Sequence, residues 1–316
     1  MSVIDWLLEG DPAIRWQVMR DLLDADPDHV AAERSRVARE GWGERLLALQ
    51  QPDGSWAGGA WFPAGSRDPG GDPIDGQPWT STAHVLTLLV HMGVDPDATA
   101  VRSAASCAFD AVRWEEGDRP FLEGEDEACT LSTAILAGAY FGADMTAPAA
   151  RLVADRRGDG GWNCEPREVS NRSSFPSTLI ALEALAAQRR HAGALPLDAS
   201  EAIDAAHEYL LARGLMRRRS TGEILDPAYQ RLSFPTYWHY DVLRALDHLR
   251  DWGAEPDPRA GEAIELVRSR HTAAGPWPLE NTHRGAVPFV MEDGDGRPSR
   301  WITLRALRVL RWWDDA

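Results

Sequence analysis

Apolar residues along this chain recur at spacings of three and four, and nowhere alternate over several positions, so the pattern predicts helices and no strands. The first predicted helix, Asp11 to Leu23, opens with an acidic cap and a proline in its first turn. A second runs from about Asp28 to Gln50. Further helices are expected from Thr80 to near Gly93, Ala98 to Val112, Cys129 to near Gly142, and Ala147 to Asp155. The remainder begin at Ser177, Ser200, Phe234, Pro258 and Ser299.

One unit recurs within this series. Asp159-Gly-Gly-Trp-Asn-Cys164 is a glycine turn carrying a tryptophan, and a polar loop then leads to Ser174-Phe-Pro, a serine cap with proline in the first turn. The glycines let the chain reverse tightly, and Trp162 is expected to pack back over the end of the preceding helix. Gln51-Pro-Asp-Gly-Ser-Trp56 and Ala274-Gly-Pro-Trp277 are further copies, and Ser233-Phe-Pro-Thr echoes Ser174-Phe-Pro-Ser.

Repeats that cannot bury their own face must stack on neighbours. Six inner helices, starting near Asp11, Thr80, Cys129, Ser177, Phe234 and Ser299, alternate with five outer ones. The expected fold is therefore all-α, a single domain over residues 1–316, with the count of six favouring a closed (α/α)6 toroid over an open solenoid.

Composition narrows the function classes. A hydrophobic fraction of 44% and 14 tryptophans supply a sizeable core. The formal charge of −16 excludes nucleic acid and anionic membrane surfaces as natural partners. Met1 to Gly10 has no cationic, apolar leader pattern and no apolar run approaches membrane-spanning length, so the expected location is the cytoplasm. Cys107, Cys129 and Cys164 are an odd set, which points to thiolate chemistry or metal binding rather than a paired disulfide framework.

The Gln-Gln-Pro-Asp-Gly-Ser-Trp56 and Gly-Asp-Gly-Gly-Trp162 turns resemble the repeats of the squalene cyclase (terpenoid cyclase) and protein prenyltransferase β-subunit superfamily. That resemblance implies an α/α toroid around a largely apolar cavity that holds isoprenoids.

In such a ring the turn-to-helix junctions open at one rim, bringing Glu127, Cys129, Cys164, His239, Asp241, Glu292 and Arg300 toward one another. Thiolate, imidazole and carboxylate are zinc ligands, so Glu127, Cys129, Cys164 and His239 form the expected metal site. Glu127-Ala-Cys129 and Tyr237-Trp-His239 look like the acidic-X-Cys and Tyr-X-His zinc ligands of prenyltransferase β subunits, with Glu in place of Asp and Trp238 before the histidine.

Glu125 and Asp126, in the acidic run before Cys129, are the expected proton-handling groups, with Asp241 placed to orient His239 or to cap a turn. Trp61, Trp238 and Tyr240 are the expected aromatic contacts of a substrate, and Arg300 a contact for an anionic group. The reading is a zinc enzyme acting on an isoprenoid or similar small hydrophobic substrate. Two others stand beside it: a metal-independent, acid-initiated cyclase or isomerase, for which the Asp-X-Asp-Asp motif is missing, and a non-catalytic toroid binding a lipid or a protein partner.

Overall fold

The computed structural model describes residues 2–67, 77–193 and 195–315, so part of the Gly/Pro-rich stretch after Phe62 lies outside it. Among the described residues the protein is all-helical, with isolated β-bridges and no strand. The helices are α1 Val3–Leu8, α2 Pro12–Asp21, α3 Pro27–Arg34, α4 Gly41–Ala48, α5 Thr82–Met92, α6 Thr99–Ala111 and α7 Ala128–Tyr140. They continue with α8 Thr146–Ala154, α9 Phe175–Ala192, α10 Ala199–Leu211, α11 Val242–Trp252, α12 Gly261–Ser269 and α13 Arg300–Asp314. None of them is long and apolar enough to cross a membrane.

Several starts follow from local chemistry. Asp11 accepts from the Ala13 N–H ahead of Pro12, and Ser174 and Ser299 accept from Ser177 and Ile302, satisfying N–H groups that the first helical turn leaves unpaired. Two expectations change. The Asp28 to Gln50 helix is two, because Gly41 takes a left-handed φ of 69° and any Cβ there would collide with the Asp11 carboxylate. The helix expected at Phe234 starts at Val242, because Tyr237 sits at φ 48° and Asp241 supplies the cap to Arg244 N–H at 2.8 Å. The α1 helix, capped by Ser2, carries no repeat signature and went unread in the sequence.

The recurrent turn works as its composition suggests. The indoles of Trp56, Trp162 and Trp277 each donate at 2.7 Å to a carbonyl ten residues earlier, Leu46, Leu152 and Val267. Each tryptophan N–H then donates to a threonine at the start of a later helix, Thr82, Thr178 or Thr303. One tryptophan thus closes the end of one helix and ties it to the head of a later one. Gly160, at φ 111°, approaches Ala205 O too closely to carry a Cβ.

Contacts between α2, α5, α7, α9, α11 and α13 form a circuit. Helices α5, α7, α9, α11 and α13 touch in sequence, and α13 returns to α2. Trp16 and Gln17 of α2 complete it by donating to Met92 O and His91 O at the end of α5. The core is one continuous apolar cluster.

Candidate functional site

Two heads of this circuit meet at α7 and α9. Glu127 precedes α7, Cys129 lies in its first turn, and Cys164 lies in the loop before α9, where its sulfur accepts from Ser177 Oγ at 3.2 Å. One donor atom from each of Glu127, Cys129 and Cys164 lies within 4.8 Å of the others. The two cysteines are joined as a disulfide across 35 residues, with Cα atoms 6.0 Å apart, and Cys107 is free and exposed. An odd cysteine count therefore hid a real pair, because only the folded junctions bring these two together.

The donor set suits zinc in the dithiol state. Ligand atoms around a tetrahedral zinc lie roughly 3.3 to 3.8 Å apart, which two thiolates and one carboxylate can adopt within the observed grouping. His239 does not join them. Its ring is sandwiched between Trp238 at 3.8 Å and His283 at 3.6 Å, and meets Trp79 edge-on at 5.6 Å. The expected grouping of His239 with Glu127, Cys129 and Cys164 is not formed, because the late start of α11 leaves Tyr237 to Tyr240 as a loop that packs against the segment around His283.

The aromatic contacts divide. Trp61 and Trp238 line one narrow pocket together with His84, Tyr237, Thr133 and Ile180. Trp61 lies 4.5 Å from the His84 ring, and Trp79 stacks on Tyr237 at 4.1 Å. Thr133 is one turn beyond Cys129, whose carbonyl accepts from its hydroxyl at 2.9 Å, so α7 carries both a pocket residue and one end of the disulfide. Tyr240 is elsewhere: it is buried against Phe175 and Tyr229 and donates to Leu215 O at 2.6 Å. Arg300 stacks its guanidinium over Trp6 and donates to Trp6 O, on a separate depression at the surface.

The acids also divide. Glu125 is 7% exposed, accepts from the Glu116 N–H at 2.9 Å, and is pushed up to about 7 by burial. Asp126 is exposed and paired with Arg119 at 2.6 Å, which holds it below its ordinary value, so it is a bound counter-ion rather than a poised acid. Asp241 caps α11 and accepts from Ser233 Oγ at 2.9 Å, which resolves its role as a cap rather than an orienter of His239. Glu292 accepts from Ser299 Oγ at 2.8 Å and is raised to about 7 by burial.

Three neutral imidazoles lie in or beside the aromatic pocket: His84 lines it, and His239 and His283 stack in turn on Trp238. Burial lowers His84 to about 3, His239 to about 4 and His283 to about 3, the last with help from His239 alongside. One ring nitrogen of each, and the Tyr237 hydroxyl, are buried without a hydrogen-bond partner among the described residues. His84 and His283 were not singled out in the sequence. Their signal is faint, since an isolated histidine beside an apolar stretch reads as core.

The chain matches no family model and no curated protein.

The aromatic pocket opens toward a wider chamber of about 260 Å³, with His91, Leu136, Glu183 and Arg244 lining both. All six helices of the circuit contribute to that chamber, and its lining is charged, unlike the apolar interior that the resemblance implies. Arg244 bridges Glu183 through two hydrogen bonds and donates to Tyr237 O and His239 O, anchoring the pocket loop. Charged residues three apart, Arg244 with Asp247 and Arg305 with Arg308, were the available sequence signal for this interior.

Proposed function

We propose that the helical circuit is an α/α toroid of the terpenoid cyclase and prenyltransferase type, and that the protein is an enzyme acting on an isoprenoid or similar small hydrophobic substrate. The observation that carries the reading is the grouping of Cys129 and Cys164 with Glu127, one helical turn before Thr133, which lines a pocket together with Trp61, His84, Tyr237 and Trp238. Aromatic faces stabilise cationic character developing in a hydrocarbon, and the neutral imidazoles place no competing positive charge there.

In this reading Glu127, Cys129 and Cys164 hold zinc once the disulfide is reduced. The cytoplasm, where thiols are kept reduced, is the compartment that suits this state. Three protein ligands leave one position open, and a bound zinc would there supply Lewis-acid activation of a thiol, water or leaving group. The protein's own residues do the rest: Trp61 and Trp238 position the hydrocarbon, Ser177 holds Cys164 by its hydrogen bond, and Arg244 fixes the loop carrying Tyr237 and Trp238.

The experiment is metal analysis of protein reduced and loaded with zinc, beside Cys129→Ser, together with titration of a prenyl alcohol followed by tryptophan fluorescence. Stoichiometric zinc in the parent, its loss in the variant, and saturable quenching weakened by Trp61→Ala support the reading. Absence of zinc combined with turnover of a polyprenyl substrate that Glu125→Gln abolishes would transfer it to the acid-initiated class. Absence of metal, turnover and quenching would leave a non-catalytic binding protein.

A further inference from the structure

The aromatic pocket holds two buried polar atoms that no described residue answers. His84 and Tyr237 both line it, 3% and 6% exposed, with their rings 5.8 Å apart and edge to face. His84 Nε2 and the Tyr237 hydroxyl are each buried without a hydrogen-bond partner among the described residues. A buried polar group left unpaired is costly, and two of them on one cavity mark a place for a partner from outside.

The surrounding bonds fix what each atom offers. Ser81 Oγ lies 2.8 Å from Trp61 O, which can only accept, so the one hydroxyl hydrogen of Ser81 is directed there. At 2.7 Å from the same hydroxyl oxygen, His84 Nδ1 must therefore carry a hydrogen. His84 is neutral, lowered by burial to about 3, so its Nε2 is a bare lone pair. Tyr237 is its complement: burial raises the phenol above its ordinary value, which keeps the O–H as a donor. On the same lining Thr87 and Thr133 direct their hydroxyl hydrogens to Ala83 O and Cys129 O, and Arg244 is held by Glu183.

We propose that this pocket recognises an alcohol, whose hydroxyl donates to His84 Nε2 and accepts from the Tyr237 O–H while its hydrocarbon lies against Trp61 and Trp238. The proposal rests on the small hydrophobic substrate proposed above and gives that substrate its polar end. The pocket's volume of about 20 Å³ admits one oxygen-sized group, since roughly 10 to 15 Å³ of such space holds a water. Trp238 is 36% exposed, so the side of the pocket that it forms reaches the surface and leaves room for the hydrocarbon. An ionised carboxylate or phosphate ester fits poorly, because it has no hydrogen for Nε2 and sets a negative charge against the lone pair. A plain alkene leaves both atoms unanswered. The site needs no metal.

The test is titration of the full chain, followed by tryptophan fluorescence, with three ten-carbon prenyl probes of one skeleton: the alcohol, the aldehyde and the hydrocarbon. Tyr237→Phe and His84→Phe are titrated beside the parent, each checked by circular dichroism. The alcohol should bind at least tenfold more tightly than the hydrocarbon, with the aldehyde, which accepts but cannot donate, between them. Tyr237→Phe removes only a hydroxyl without a partner, so stability in urea should be unchanged or raised, whereas alcohol and aldehyde should each bind about fivefold more weakly. His84→Phe should weaken the alcohol alone. If His84→Phe does not fold, Tyr237→Phe and the probe series decide. Equal affinity of the parent for alcohol and hydrocarbon, or alcohol binding unchanged in Tyr237→Phe, overturns the hydroxyl contact and leaves the hydrophobic substrate in place. If none of the three probes binds the parent, the hydrophobic substrate falls and the hydroxyl contact with it.

Discussion

The indole N–H of Trp162 donates to the main-chain carbonyl of Leu152 at 2.7 Å, and the pairs Trp56 with Leu46 and Trp277 with Val267 repeat the bond at the same ten-residue separation. Each adds a second donor to a carbonyl in the last turn of a helix, where the main chain supplies only an N–H three residues on, at 3.1 to 3.2 Å. Trp162→Phe keeps most of the apolar bulk but removes the indole donor, leaving Leu152 O with the Asp155 N–H at 3.1 Å alone, which should cost about 1 kcal/mol. Urea denaturation measures this, and unchanged stability would show that the bond does not secure the helix end.

Asp247 is the hub of the chamber, gripped by Arg308 through both carboxylate oxygens and by Arg250 at 3.1 Å. Those guanidinium charges overcome burial and hold its carboxyl well below 3.8. Asp247→Asn leaves buried cations facing a neutral group and should destabilise by about 3 to 5 kcal/mol. A depressed folded pKa stabilises fully above the unfolded value and loses that contribution as pH falls. The gap between parent and variant should thus hold from neutral pH to about 4 and shrink below it. A gap independent of pH down to 2 would contradict the charge argument.

His84 is buried with Nδ1 2.7 Å from Ser81 Oγ, and burial lowers it from 6.5 to about 3. Its neutral form is favoured by folding, so its contribution is complete above 6.5 and declines as acid is added. Between pH 6 and 4 it should remove about 1.4 kcal/mol of stability per pH unit. His84→Gln should flatten the pH dependence of chemical denaturation by that slope. An identical slope in both proteins would mean that His84 is not the group being protonated.

The Cys129–Cys164 link closes a 35-residue segment. In the chain-entropy account such a closure contributes roughly 3 to 4 kcal/mol. Cys164→Ser should lower stability by about that amount under oxidising conditions and by much less once both proteins are reduced. Guanidinium denaturation with and without dithiothreitol reads the difference, and equal loss in both states would place the effect in packing rather than in the bond.

Much of the helical order was legible because it rests on local chemistry. The Asp11, Ser174 and Ser299 caps and the glycine–tryptophan turns are short-range motifs, and their helices begin within about two residues of the expected positions. The errors fall where a distant contact or an unusual backbone angle intervenes. Gly41 interrupts a run of good helix formers because the Asp11 carboxylate fills the space beside it. Ser233-Phe-Pro copies Ser174-Phe-Pro in letters, but Tyr237 turns left-handed and delays the helix to the Asp241 cap.

Taken alone, the sequence determined the all-helical class and the tryptophan that ends three of the helices, because each follows from residues within a few turns of one another. It also placed Glu127 and Cys129 at a helix head and Cys164 in the loop that leads to another. Tertiary structure decided which heads meet: it joined Cys129 to Cys164, seated His239 against His283, and gathered Arg305, Arg308 and Asp247 into a charged interior. Spacing along a helix reports which face a side chain occupies, whereas the charges that face it across a cavity come from helices far away in the chain, and only packing brings them together.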